Sequence, residues 1–396
     1  MIMSIKELVE LSRFYGSNPE YTLAGGGNTS FKDEKDLIVK ASGFSLADAT
    51  AASFVKMDRQ ALSAIWEKTY PSSSDEREKN VLADLMAARK EGEKRPSVEA
   101  LLHDIIPCSY VVHLHPALVN GLCCSKNGKT VFKEIFSDDS ALWVPSTNPG
   151  YILSRLVKTA LTEYYTERKK HASVIFLQNH GIFAGADTAD GIKRVYNEIM
   201  EKIGARIKRS PDFSDEERIT HTEDFPQRHR TNGSKDIEEN LLTQEQIQSC
   251  KEIMKMLKDF NGFSAFMNSR ETARYIKDRH SFYPVSSAFT PDHIVYAGSD
   301  PLFTEANTKE AVRAELESHN KKTGRAAKII AVKNLGVFSA AAAEKAACFA
   351  LDLFKDTVKV AVYTESFGGP LFMTREKIDF INNWEVERFR SSVSTN

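Results

Sequence analysis

The run Val111-Val112-His113-Leu114-His115-Pro116 constrains the fold more than any other stretch. Two histidines stand two apart in an apolar segment that a proline ends. On a strand, residues i and i+2 point to the same face. His113 and His115 then lie side by side, spaced to hold one metal ion. A pair of core histidines bonded to backbone is the alternative that this run alone leaves open.

A chain of 396 residues is long enough for two domains. With 41% hydrophobic and 27% charged residues it reads as soluble and globular, able to bury a sizeable core. A formal net charge of -1 offers no electrostatic case for nucleic acid or an anionic membrane. No apolar run is long enough for a membrane span, and the first residues lack the pattern of a signal peptide. The five cysteines, an odd count without a CxxC pair, suit a reduced, cytoplasmic protein.

Residues 5–15 carry apolar side chains at helical spacing. The glycine-rich stretch Ala24-Gly25-Gly26-Gly27-Asn28-Thr29-Ser30 then suits either a loop that cradles phosphate with backbone N–H groups or a hairpin turn. It is neither GxGxxG nor a Walker A loop. Asp36 to Ala41 reads as a strand running into Ser42-Gly43, which offers a hydroxyl and an N–H to the same anion, or simply a turn. Residues 58–70 and 75–91 read as helices. At Pro96-Ser97 a helix begins, with Ser97 near the N-cap and Glu99 in the first turn. There Glu99 complements the helix dipole or ligates a metal. His103, one turn on, reads as a supporting or structural group rather than a ligand. Beyond the His113/His115 strand come a helix at 117–124, a polar connection at 126–140, a loop at 144–150 and a helix at 151–170. Ser173 to Gly185 gives a buried strand, a polar turn with His180, and a second strand. A helix at 187–208 closes this unit. The polar composition of 209–245 reads as a linker. A second α/β unit follows at 246–396, with helices near 245–259, 308–319 and 341–354 and strands near 293–297, 328–333 and 357–362.

Glu99, His113, His115 and His180 together make a three-histidine, one-carboxylate set suited to Zn²⁺ or a similar divalent metal. With phosphate donors nearby, the set suits a phosphorylated hydroxy-ketone.

These motifs resemble the class II aldolase/adducin family. Gly27-Asn28-Thr29-Ser30, Ser42-Gly43, Pro96-Ser97-x-Glu99, His113-x-His115-Pro116 and Asn179-His180-Gly181 occur in the family's order over roughly residues 1–208. Within the family the chain is most similar to the aldolase part of bifunctional rhamnulose-1-phosphate aldolase/alcohol dehydrogenases. Arg95-Pro96-Ser97-Val98-Glu99, Thr290-Pro291-Asp292-His293 and Asn383-Trp384-Glu385-x-Glu387 add to that likeness. The dehydrogenase fingerprint Thr-Gly-x-x-x-Gly-x-Gly does not occur, so NAD chemistry is not expected.

The resemblance implies a three-layer α/β/α sandwich and a homo-oligomer. It implies zinc, or another divalent metal, held by His113, His115 and His180. Glu99 is then a ligand in the empty site and the acid/base in turnover. Gly27, Asn28, Ser42, Gly43 and Ser97 are the implied phosphate and substrate contacts. Comparable sugar-phosphate aldolases often carry a second serine where this chain has Val98. Tyr151 is the nearest candidate for the leaving-group proton donor. The implied activity is cleavage of a ketose 1-phosphate, rhamnulose- or fuculose-1-phosphate-like, to dihydroxyacetone phosphate and an aldehyde, in carbohydrate metabolism such as rhamnose catabolism. Epimerisation is disfavoured by Glu99, since family epimerases tend to carry aspartate there. The family also leaves room for dehydration and for a non-catalytic, adducin-like scaffold.

Two pairs of segments also suggest that the second unit is a degenerate repeat. Asp36–Ala41 resembles Asp292–Ala297, and Val174–Phe183 resembles Ile329–Phe338. On this reading the second copy lacks the part that carries Glu99, His113 and His115, and Leu335 stands where His180 does. Chance likeness between short buried strands is the alternative.

Overall fold

The computed structural model describes residues 2–138, 141–225, 242–386 and 389. Residues 226–241 of the expected linker lie outside these. Among the described residues the chain forms two compact units, one of residues 2–208 with Thr364–Val386, the other of residues from Arg209 to Tyr363.

The first unit is built on a seven-stranded sheet: β1 (Asn28–Lys32), β2 (Asp36–Lys40), β3 (Phe54–Asp58), β4 (Tyr110–Leu114), β5 (Leu142–Val144), β6 (Val174–Leu177) and β7 (Gly181–Ala186). Their order is β3-β2-β1-β4-β7-β6-β5, antiparallel except for the β5–β6 pair. Helices Ile2–Gly16, Ala117–Cys123 and Ala189–Gly204 pack together on one side of the sheet. Arg59–Ile65, Ser74–Ala87, Ala100–Ile105 and Tyr151–Arg168 pack together on the other, completing the three-layer α/β/α arrangement. Burial of apolar side chains drives this layering. Leu37, Val39, Val55 and Met57 meet Leu62, Val81, Leu85 and Leu101. Val111, Ile175 and Phe183 meet Leu102, Leu153 and Val157. His113 shares a strand face with Val111, so the sheet turns it toward the helix Ala100–Ile105.

Several local expectations change. Residues 126–140 contain a helix, Gly128–Ile135, anchored by buried Phe132. Asn28–Lys32 is a strand rather than part of a loop. Residues 364–386 belong with the first unit, not with 246–363. Backbone bonds fix them there: Leu371 N–H donates to the Cys124 carbonyl at 2.7 Å, and Asn127 N–H to that of Phe367 at 3.0 Å. Residues 209–225 are not simply linker, because Glu217–Ile219 forms a strand.

The second unit carries a five-stranded sheet of β8 (Glu217–Ile219), β9 (Phe263–Asn268), β10 (Leu302–Thr304), β11 (Ile329–Val332) and β12 (Gly336–Ala341). Read as β8-β9-β12-β11-β10, its order and directions reproduce β1-β4-β7-β6-β5. The register matches too. Val174 pairs with Ala184, and Ile329 with Ser339, at one constant shift of the numbering. Both hairpin turns hold an asparagine at positive φ, Asn179 at 58° and Asn334 at 60°.

The repeat is therefore present in the topology, but its alignment differs from the expected one. His293–Ala297 is a buried π-helical turn, not a counterpart of β2. Thr290-Pro291 opens it: the Thr290 carbonyl accepts from Ile294 N–H at 3.3 Å, and Pro291 suits a first helical position. The strand expected at 357–362 lies inside the helix Glu344–Thr364, where Val358, Val360 and Val362 are all fully buried. A short buried apolar run does not separate the two states by periodicity. The counterpart of the histidine strand is not missing. It is β9, and strands β2 and β3 are the ones without counterparts in the second sheet.

Candidate metal centre

Three loops and strand ends of the first unit converge on one point. His113 is the penultimate residue of β4, His115 follows the strand, and His180 sits in the β6–β7 turn. Their ligand atoms lie within 4.8 Å of one another. His115 Nε2 is 2.9 Å and His180 Nε2 3.3 Å from His113 Nε2. Glu99 Oε1 stands 3.4 Å from His113 Nε2 and 3.6 Å from His180 Nε2. That oxygen is buried with no hydrogen-bond partner. Tetrahedral ligands at zinc-like bond lengths stand about 3.3 Å apart, so these atoms fit a divalent cation among them.

The surroundings aim the ligands. His113 Nδ1 donates to the Ile182 carbonyl at 3.0 Å, which leaves Nε2 with its lone pair facing the centre. Its ring stacks on Phe183 with centroids 4.1 Å apart. A side chain at Gly181 has no room, since its Cβ falls 2.5 Å from His115 Cδ2. Asn179 at positive φ makes the turn, and its amide donates to the Leu371 carbonyl at 2.8 Å.

Glu99 occupies the N-cap position of the helix Ala100–Ile105, but its side chain caps nothing there. Ser97, expected near that cap, accepts the Glu99 N–H on its hydroxyl at 3.2 Å. The Glu99 carboxylate is thereby free to turn to the histidines. Its other oxygen, Oε2, accepts from Asn28 Nδ2 at 2.7 Å.

A buried polar layer lies behind Glu99. Asn28 Oδ1 is hydrogen-bonded to His103 Nε2, and Ser30 Oγ lies 2.7 Å from His103 Nδ1. Lys32 Nζ donates to the His103 carbonyl at 2.6 Å. Burial holds His103 well below the usual histidine range, and nearby His113 and Lys32 reinforce the effect. Burial also brings Lys32 down to about 8, against the pull of Asp104. Ser30 was read with the phosphate-cradling stretch and Lys32 was given no role, yet Asn28, Ser30 and Lys32 alternate along β1 on one face. That period was the available signal.

His103 gives the fold an acid limit. It stays neutral when folded and takes up a proton near pH 6.5 when unfolded, so the unfolded chain binds more protons below that value. Its contribution is fully present above about pH 6.5 and is lost as pH falls below it. Thermal midpoints measured between pH 5 and 8 are expected to fall on the acid side, and less steeply in His103→Gln. Equal slopes in both proteins would show that His103 does not set the limit.

The remaining candidates lie nearby in the chain's contacts. Ser42 N–H donates to the Arg95 carbonyl at 2.9 Å, and Ala41 bridges Pro96, which brings Ser42-Gly43 beside Ser97. Gly27 takes φ 71°, and a Cβ there would stand 2.9 Å from the His113 carbonyl oxygen. Tyr151, the candidate proton donor, is buried in the apolar core against Tyr70 and Trp66. No sequence signal pointed to Lys377, which reaches Ser146 and donates to its carbonyl at 2.9 Å and its hydroxyl at 2.8 Å.

Residues 6–202 match the Class II Aldolase and Adducin N-terminal domain, and through this part the chain belongs to the class II aldolase/adducin family. A curated relative, "Uncharacterized oxidoreductase YuxG" of Bacillus subtilis, is 26% identical over 316 residues. That match covers 76% of this chain and 42% of YuxG, so the chain spans less than half of that relative's length. Among solved structures, the N-terminal class II aldolase domain of a conserved Thermoplasma acidophilum protein is 25% identical. It covers 51% of this chain and 92% of its own, with a TM-score of 0.43. The L-fuculose-1-phosphate aldolase of Thermus thermophilus is 15% identical, covering 50% of this chain and 90% of its own, with a TM-score of 0.31. Among the described residues no helix is long and apolar enough to cross a membrane. All five cysteines are free.

Proposed function

We propose that the first unit is a zinc-dependent class II aldolase that cleaves a ketose 1-phosphate, rhamnulose- or fuculose-1-phosphate-like, to dihydroxyacetone phosphate and an aldehyde. The observation that carries this reading is the cluster of three histidine Nε2 atoms, two of them facing the unpartnered Oε1 of Glu99. A divalent metal bound there supplies a Lewis acid for the negative charge that builds on the ketone oxygen. His113, His115 and His180 would hold it, with Glu99 beside them as a further ligand.

In the cleavage direction the bond between C3 and C4 breaks, and its electron pair stays on C3. The C4 hydroxyl passes its proton to the Glu99 carboxylate and becomes the aldehyde. Glu99 delivers a proton to C3, completing dihydroxyacetone phosphate, and removes that proton in the addition direction. Gly27, Ser42, Gly43 and Ser97 take the phosphate. The Asn28 side chain, expected among these contacts, is instead engaged by Glu99 and His103. Val98 supplies no hydroxyl. A cytoplasmic homo-oligomer belongs to the same proposal.

Protein purified without chelator is expected to carry about one divalent ion per chain, zinc first, by elemental analysis. A panel of ketose 1-phosphates is then screened for dihydroxyacetone phosphate release. Metal without release points to epimerisation or dehydration. Absence of metal, with no activity gained from zinc, cobalt or manganese, sinks the reading.

A further inference from the structure

We propose that His103 is a positioning residue: it orients the Asn28 amide, and through it holds the Glu99 carboxylate with Oε1 toward the three histidines. Four buried groups fix this order. Asn28 and Glu99 are 8% and 7% exposed, and Ser30 and His103 are fully buried.

For the neutral ring, donor and acceptor chemistry leaves one arrangement. An ionised carboxylate only accepts, so the Asn28 nitrogen faces Glu99 Oε2 and the Asn28 oxygen faces His103. That oxygen also only accepts, so His103 Nε2 carries the proton. The neutral ring then presents a lone pair at Nδ1, which Ser30 Oγ fills as donor. The Val111 carbonyl competes poorly for that hydroxyl, at 3.5 Å. Lys32 pins the backbone of the same residue through the His103 carbonyl.

Each other arrangement meets a repulsion inside the protein. With the proton on Nδ1, the Nε2 lone pair would face the Asn28 oxygen. Flipping the Asn28 amide to relieve that would set its oxygen against Glu99 Oε2. Unmatched polar atoms are costly in such a buried layer. The ring tautomer thus propagates through Asn28 and makes the two oxygens of Glu99 unequal. Oε2 is tied, while Oε1 is left for the metal or the proton.

This role rests on the reading of Glu99 and the histidines as a metal centre, and the test uses Co²⁺ alone so that no substrate is needed. The full chain, His103→Gln, His103→Leu and Asn28→Ala are titrated with Co²⁺, with visible absorption and affinity as readouts and far-ultraviolet circular dichroism to confirm folding. Glutamine places an amide N–H near the position of Nε2, so His103→Gln is expected to keep the parent spectrum and affinity. His103→Leu and Asn28→Ala are each expected to bind about 10–100-fold more weakly, with shifted bands. Combining Asn28→Ala with His103→Gln should add nothing, since Asn28 is the link. If His103→Leu does not fold, Asn28→Ala and the combined variant decide the matter. Parent-like Co²⁺ binding in folded Asn28→Ala overturns the positioning role alone. No Co²⁺ binding by the parent chain overturns the metal reading, and this role with it.

Discussion

Replacing Glu99 by glutamine is expected to lower turnover by about 10²–10⁴-fold while the fold survives. The amide has the shape of the carboxylate and can keep one oxygen on the Asn28 donor. What it lacks is a charge toward the histidines and a proton to exchange with substrate. The loss should fall on kcat rather than KM, because in the proposed reaction Glu99 serves the reacting carbon and not the phosphate contacts. Metal content is measured in the same preparation, since Glu99 Oε1 also faces His113 and His180. A metal-loaded variant that turns over within about twofold of the parent would reduce Glu99 to a helix-start carboxylate.

The candidate metal centre was legible because its residues obey local rules. His113 and His115 are two apart on a strand, and His180 stands in a turn flagged by Asn179 and Gly181. Glu99 was legible only in part. A helix start explains an acidic residue there, yet this side chain leaves its own helix uncapped and turns to the histidines. What the sequence did not show is pairing over distance. His103 meets Asn28 75 residues earlier in the chain, and Lys377 meets Ser146 231 residues away. No spacing rule reaches that far, because such contacts follow from sheet order and layer packing. The return of residues after Thr364 to the first unit is hidden for the same reason. The hairpin repeat was visible because register is carried by adjacent residues. The strand β9 was not, because Phe263 to Asn268 keeps the geometry of β4 without its histidines.

That substitution of chemistry gives the second large effect. Register equates Phe266 with His113, Asn268 with His115 and Leu335 with His180. Where His113 stacks on Phe183, Phe266 packs on Phe338 with centroids 4.9 Å apart and on Phe225 at 5.4 Å. Phe266 is fully buried and its ring fills the space beside Gly336, where a Cβ would stand 2.5 Å from Phe266 Cε2. The counterpart of the histidine cluster has become apolar core. Phe266→Ala is therefore expected to cost about 3–5 kcal/mol, through lost burial and the cavity left among the rings. Phe266→His should also destabilise, by placing an imidazole among aromatic rings, and it should gain no metal because Asn268 and Leu335 supply no matching imidazoles. Denaturant unfolding of the full chain measures the first, and Co²⁺ titration against the parent measures the second. A loss under about 1 kcal/mol for Phe266→Ala would show that this ring does not hold the second core together.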